Sequence, residues 1–359
     1  VPGRVDPAVA HARRVVGLYG DPDVSWSIVM ALTLRTPRTV DAVAAAAASL
    51  VARHPHLGSA PRVDTFDPVD EGGLITRFAD TPYGDRDPLL RVGMAADGTV
   101  LVVAGFHGAV DGLGLLGAAG ALAGLDLTSS VRGIVPAEEP TRFLARSLGR
   151  LAELALSPPL RLATTRTTGT GDVLTSRVVE LAGPGTAALV AAAALAVRRW
   201  NSSAPTDAPG RRLVVAAGLS RRPGTPTPTP DRDTAYVRLA AADVSTTAQA
   251  RDLLARTAPE PAFPVTDASG LAPRVIRLLS SRLGATVLVS NLGRIDHQGL
   301  AALRFWPVPT SPAGAAIGLA TTAGTTTLAV RVRRGWFSVQ AAEAWTDLVA
   351  AALVEVSAQ

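Results

Sequence analysis

Cysteine is absent from the 359 residues, and so is lysine. Without thiols there are no disulfides, no thiolate nucleophile and no cysteine-ligated zinc or iron–sulfur site. A chain free of cysteine also suits a reducing cytoplasm, which is the expected location. Without lysine there is no phosphate-binding loop of the Gly-Lys-Ser/Thr type. Aromatic residues make up only 4% and interleave with no basic tract, which excludes nucleic acid as an expected partner. Histidine occurs 5 times. Long apolar runs of membrane-spanning length are missing: Ala187–Val197 is closed by Arg198 and Arg199 and reads as a buried helix. The Val1 end carries no charged region followed by an apolar core, so neither a signal peptide nor a membrane partner is expected.

What is present is an apolar chain, 47% hydrophobic, long enough for two cores. The net charge is +5, carried by arginine alone on the basic side. An alanine- and arginine-rich composition is what a GC-rich coding sequence gives, though the charge also suits an acidic partner.

One segment joins chemistry to context. Thr99–Phe106 (TVLVVAGF) reads as a buried strand and Leu113–Leu125 as an apolar helix. Between them stands His107-Gly108-Ala109-Val110-Asp111-Gly112. A histidine here offers a proton acceptor that titrates near neutrality. Asp111 is expected to support it by pairing with a cation and fixing the turn; Arg53 is the first candidate partner and Arg221 the second. Gly108 and Gly112 would let a slender substrate arm pass close to the backbone. The bland alternative is a hydrogen-bonded core histidine. His107 and Asp111 make no closed metal site, so no metal is expected. His54 and His56 flank Pro55 and read as packing or surface residues, and Arg142, Arg146 and Arg150 as a solvated helix face. Arg331, Arg333 and Arg334 read the same way.

Ser27–Leu34 reads as a strand and Thr39–Arg53 as a helix that Pro55 stops. Leu89–Met94 and Thr99–Phe106 form a hairpin, and Pro140–Leu156 a further helix. Residues 159–172 lie in a Pro/Thr/Gly-rich linker between an N-terminal lobe (1–158) and a C-terminal lobe (173–359). After it, strands are expected at Val173–Leu181, Leu213–Leu219 and Thr286–Asn291, and helices at Thr186–Trp200 and Val275–Leu283. Ala315–Thr321 pairs with Thr327–Val332 as a hairpin, and Val339–Val356 is a closing helix with Ser338 as its cap. Pro223–Asp233 (PGTPTPTPDRD) is expected as a solvent-exposed loop. Alternating elements make the class α/β or α+β.

In this order the motifs resemble those of the chloramphenicol-acetyltransferase-like superfamily, which includes condensation domains of peptide synthetases, polyketide-associated acyltransferases and alcohol acetyltransferases. Arg53-His54-Pro55-His56-Leu57 looks like its Arg-His-x-x-Leu segment, and Pro88-Leu89-Leu90-Arg91-Val92 like its strand opening before the active site. Phe106–Gly112 matches His-His-x-x-x-Asp-Gly except that Phe106 replaces the first histidine. Val289-Ser290-Asn291-Leu292-Gly293-Arg294 is similar to the Ser-Asn-x-Gly strand. The Asp-Phe-Gly-Trp-Gly motif of plant-type members is missing.

The resemblance implies two lobes, each a mixed sheet flanked by helices, with His107 in a tunnel between them. It implies His107 as general base, Asp111 as structural support and Gly112 as a close-approach glycine. Ser290 and Asn291 would face the tunnel, bonding an oxyanion or the acyl arm, or else merely cap a strand. The expected activity is acyl transfer from a coenzyme A or phosphopantetheine-linked thioester to a hydroxyl or amine in specialised metabolism, with no bound cofactor. An acyl or peptidyl carrier protein is a further expected partner. No adenylation or carrier domain flanks the motifs, so a stand-alone enzyme is expected. The rival readings are a condensation or cyclising enzyme on carrier-bound substrates, and a catalytically silent carrier-binding scaffold.

Overall fold

The apolar run Ser27–Leu34 forms strand β1 near the middle of a five-stranded sheet, in a computed structural model that describes residues 7–17, 24–133, 158–164, 167–203, 212–222, 227–260, 284–309 and 314–359. Successive side chains of a strand point to opposite faces. Ile28, Met30 and Leu32 accordingly pack under helices α2 (Val40–Arg53) and α4 (Gly112–Ala123), while Val29 and Ala31 pack on Leu74, Ile75 and Phe78 of α3 (Glu71–Asp80). Burial on both faces is why β1 has no polar alternation. Helix α1 (Pro7–Gly17) adds Val9 and Ala12 to the first of these cores. β2 (Val63–Phe66), β3 (Leu90–Ala95) and β4 (Val100–Phe106) complete the N-terminal part of the sheet, β3 and β4 pairing as an antiparallel hairpin.

The second sheet contains β6 (Asp172–Val179), β7 (Val214–Ser220), β8 (Thr234–Ala240), β9 (Val287–Asp296), β11 (Ala315–Thr322) and β12 (Thr325–Arg333), in the order β6-β12-β11-β9-β7-β8. α5 (Thr186–Ser202), α6 (Thr247–Arg256) and α7 (Val339–Ser357) cover one face. Ser338 caps α7 by accepting the Ala341 amide at 3.1 Å. Both sheets mix parallel and antiparallel pairs, so the class is α/β with two helix-flanked lobes.

Sheet membership departs from a division at residues 159–172 in two places. β10 (Leu300–Trp306) leaves the second sheet and pairs antiparallel with β1, while β5 (Thr128–Ser129) pairs with β9. Parallel strands need a crossover between them, and between β9 and β11 that crossover is a strand lent to the other lobe. The two sheets touch where β10 passes β11: a Cβ on Gly318 would stand 2.0 Å from the Phe305 carbonyl oxygen.

Arg331 corrects the reading of its cluster as a solvated face. It shares a face of β12 with Ala329, the face turned toward the first lobe, and is fully buried. Its Nε donates to Asp172 Oδ2 at 2.6 Å and its Nη atoms donate to the carbonyl oxygens of Ser27 and Ala79 in the other lobe. Asp80 lies beside this pair and accepts the Asp172 amide at 3.0 Å. Burial, then the Asp172 charge, push Asp80 above the usual carboxylate range. A group raised in this way favours folding at low pH and opposes it as pH rises. Asp80→Asn keeps the amide acceptor and removes the repulsion. It is expected to stabilise the protein at pH 7–8 by up to about 1 kcal/mol, given partial exposure, with the gain vanishing near pH 3. Equal gain at both pH values in thermal unfolding refutes the electrostatic cause.

The helices expected at Pro140–Leu156 and Val275–Leu283 lie outside the described residues. The expectation for Pro223–Asp233 needs correction over the part described. Residues 227–233 lie on the first lobe, with Pro228 and Pro230 buried. An added Cβ on Gly114 would meet the Asp231 carbonyl oxygen at 1.9 Å, and one on Gly117 the Pro228 carbonyl oxygen at 2.2 Å. The side-chain-free face of α4 is therefore where this strap sits. His56 joins it, its Nε2 bonding the Pro230 carbonyl at 2.7 Å.

Candidate active site

β4 runs straight into the site. From Leu101 to Asp111 every residue is buried except His107, which is partly exposed. The His107 amide donates to the Trp26 carbonyl at 2.8 Å, anchoring the turn to β1's approach. Gly108 is buried within that turn. Phe106, standing where the resembled motif has a first histidine, packs against Tyr83 at 5.3 Å between ring centroids. α4 then starts with Asp111 as N-cap, its Oδ1 accepting the Gly114 amide at 2.7 Å.

The imidazole is held at both nitrogens. Nδ1 lies 3.2 Å from the Val110 carbonyl, which can only accept, so Nδ1 carries the proton. Nε2 is thus left as an acceptor, and the Tyr236 hydroxyl of β8 donates to it at 2.9 Å. Burial, and secondarily the Arg232 charge, push the ring down to about 4, against the opposing pull of the Val110 carbonyl and Asp111. At neutral pH the ring is uncharged, which is the protonation state a general base requires.

Asp111 makes no hydrogen bond to His107. Its Oδ2 accepts from Arg222 Nη1 at 2.9 Å, the Asp233 amide at 2.8 Å and the Thr234 hydroxyl. Neither candidate cation from the sequence is its partner. Arg53 is exposed at the end of α2 and turns back to the Ser49 carbonyl, and Arg221 uses its amide on the Asp233 carbonyl. The reason is the turn after β7: Ser220 Oγ accepts the Arg222 amide at 3.1 Å, and that closure sends residue 222 inward. Arg222 also reaches Asp231. Burial alone would raise Asp111, but Arg222, with the Thr234 hydroxyl and the Gly114 amide, leaves it below the usual carboxylate range.

These bonds give Asp111→Asn a definite expectation. An amide nitrogen replaces Oδ2 against three donors, so stability should fall by about 2–4 kcal/mol. Because the Asp111 pKa is depressed, its contribution is full above the ordinary carboxylate pKa and fades as pH falls through the folded value. The gap between native and variant in denaturant unfolding should therefore narrow below about pH 4. A variant slow in turnover yet equally stable refutes the supporting role.

Ser290 and Asn291 lie on β9 in the wall of a cavity of about 360 Å3 between the lobes, together with Gly112, Ser130, Gly218 and Thr234. His107 is not part of that wall. The Asn291 amide is engaged by backbone: Oδ1 accepts the Gly293 amide at 2.8 Å and Nδ2 donates to the Pro184 carbonyl at 3.1 Å. It thereby holds Gly293, whose φ of 72° is left-handed. The space above Gly112 is filled by protein, a Cβ there meeting Phe305 at 2.9 Å and Leu292 at 3.0 Å. Sequence reasoning missed Arg222 and Tyr236. Arg222 adjoins a named candidate. The alternation of β8, with Ala235, Val237 and Leu239 buried, could have flagged Thr234 and Tyr236 as one face. Among the described residues no cluster of three or more metal-ligating side chains occurs.

Two lobes, each a mixed sheet flanked by helices, make the fold that condensation domains have, and solved structures with that fold match over nearly the whole chain. The starter condensation domain of rhizomide synthetase, solved as a mutant with C8-CoA and Leu-SNAC, is 13% identical with a TM-score of 0.59 over 98% of this chain and 94% of that one. The first condensation domain of the calcium-dependent antibiotic synthetase, in complex with a substrate analogue, is 16% identical with a TM-score of 0.59, covering 100% and 97%. SgcC5 from Streptomyces globisporus is 15% identical with a TM-score of 0.56, covering 98% and 99%. No protein-family model matches the chain, and no curated protein sequence does.

Proposed function

We propose that this protein is an acyltransferase that moves an acyl group from a coenzyme A or carrier-protein thioester to a hydroxyl or amine, with His107 as general base. The observation that carries the reading is the His107 ring itself. It is uncharged, its tautomer is fixed by Val110, and its Nε2 lone pair faces the opposite lobe. In this role Nε2 takes the acceptor's proton as its oxygen or nitrogen attacks the thioester carbonyl. The tetrahedral oxyanion then collapses, and the leaving thiolate receives the proton back. A thioester is already activated, so no serine or cysteine nucleophile is needed.

Asp111 acts at one remove by locking the turn that aims His107. In this reading Ser290, which lines the cavity between the lobes, binds the acyl arm. Asn291 acts at one remove, its side chain fixing the β9 backbone at Gly293 and bonding the Pro184 carbonyl. The coenzyme A-bound relative supports an acyl thioester as donor. The absence of cysteine makes the assay clean, because any thiol that appears comes from the donor. Incubation with octanoyl-coenzyme A and a panel of acyl-carrier donors, with ethanolamine and simple alcohols as acceptors, should release thiol and yield an acylated acceptor by mass spectrometry. No thiol release from any donor overturns the reading in favour of a silent scaffold.

A further inference from the structure

β8 places two residues of one face against the two polar residues of the motif. Thr234 donates to Asp111, and Tyr236, two positions on, donates to His107 Nε2. Side chains two apart on a strand share a face, so this spacing is what lets one strand meet both ends of a strand–turn–helix. Among the described residues β8 is also an edge strand, bonded within the sheet to β7 alone. An imidazole nitrogen has a single in-plane lone pair and accepts one hydrogen bond. While the phenol holds Nε2, no other O–H or N–H can donate to it.

We propose that Tyr236 is a residue of the acceptor site: its hydroxyl occupies, against His107 Nε2, the position that the acceptor's hydroxyl or amine must take, and it yields that position when the acceptor binds. This rests on the acyl-transfer reading above. A phenol donating to Nε2 has the geometry of an alcohol about to lose its proton, so the contact marks the attacking atom's place. It also keeps the base engaged when only the thioester is bound, which withholds it from water.

Diethyl pyrocarbonate labelling of His107, followed by peptide mass spectrometry at several pH values, tests the contact without any acyl thioester. Tyr236→Phe keeps the ring and removes only the donor. Labelling of His107 should then be about fivefold faster, as expected for one lost hydrogen bond. Its pH midpoint should rise, because the phenol's bond favours the neutral ring. Arg232 and Asp111, the charged groups that act on the ring, are the same in both proteins. Trp306→Phe cuts the Nε1 bond to the Thr175 carbonyl, a tie between the two sheets away from the motif, and should leave labelling nearly unchanged.

An unchanged rate in Tyr236→Phe, or equal acceleration in Trp306→Phe, overturns the proposal, the latter by assigning the effect to lobe separation. With octanoyl-coenzyme A and ethanolamine, Tyr236→Phe should lower KM for ethanolamine about fivefold and leave KM for the thioester alone. An unchanged ethanolamine KM also overturns it. Faster labelling with no thioester turnover by either protein removes the acyl-transfer reading and leaves Tyr236 as the cap of His107.

Discussion

His107→Ala should release thiol from an acyl thioester about 10²–10⁴-fold more slowly than the native protein, the range associated with loss of a positioned proton acceptor. Its thermal midpoint should move little. His107 is the only partly exposed residue between Leu101 and Asp111, and its side chain bonds one carbonyl and one hydroxyl, neither of them a charge. Deleting the ring exposes no buried ion and empties a partly exposed position rather than one in the apolar core. The turn keeps its anchors, because the His107 amide bonds Trp26 and Asp111 caps α4 whatever occupies position 107. Two outcomes contradict this. Equal turnover would deny the base role, and a large fall in melting temperature would make His107 a core histidine. The native pH profile adds a further check. With the ring down near 4, activity should persist well into mildly acidic solution, where an ordinary histidine would already be protonated.

Arg331→Ala should destabilise the protein by about 3–5 kcal/mol, the cost of leaving a buried carboxylate without its partner. Asp172 is 2% exposed and has Arg331 as its close cation, with Arg333 farther off at 3.5 Å. The same guanidinium also loses its bonds to the Ser27 and Ala79 carbonyl oxygens. Those carbonyls belong to the first lobe and Arg331 to the second, so the variant loosens the join between the lobes. Denaturant unfolding should then separate from one transition toward two, as interfaces between independently cored units do when weakened. A loss below about 1 kcal/mol, as for an exposed pair, would show that the guanidinium is dispensable. Lys at this position should not rescue, since a point charge cannot serve a carboxylate and two carbonyls in one plane.

The order of strands and helices around the histidine was legible in the sequence because it is written in local patterns. β1 and β4 are continuous apolar runs, Pro55 ends α2, and Ser338 opens α7. Several elements left weaker marks. α3 carries two consecutive glycines near its start, and β10 mixes alanines with Arg304, so neither stands out by period. Both gain their structure from what they pack on: α3 from the odd-numbered face of β1, β10 from its pairing with β1.

The sequence by itself determined the two-lobed α/β class, the strand–turn–helix around His107 and Asp111, and the chemistry open to a protein without thiols or lysine. Those are properties of residue type and short spacing, which act within a few positions along the chain. Only the tertiary structure decided who meets whom. Arg222 reaches Asp111 across 111 positions, Tyr236 reaches His107 across 129, and Arg331 reaches Ser27 across 304. A one-residue change of register turns a side chain from one face to the other, so a neighbour such as Arg221 is as plausible as Arg222 until the strands are paired. The strap of residues 227–233 follows the same rule. Its prolines read as an exposed loop because they donate no amides, yet its free carbonyls are what His56, Arg222 and the Asp111 amide bind once the lobes come together.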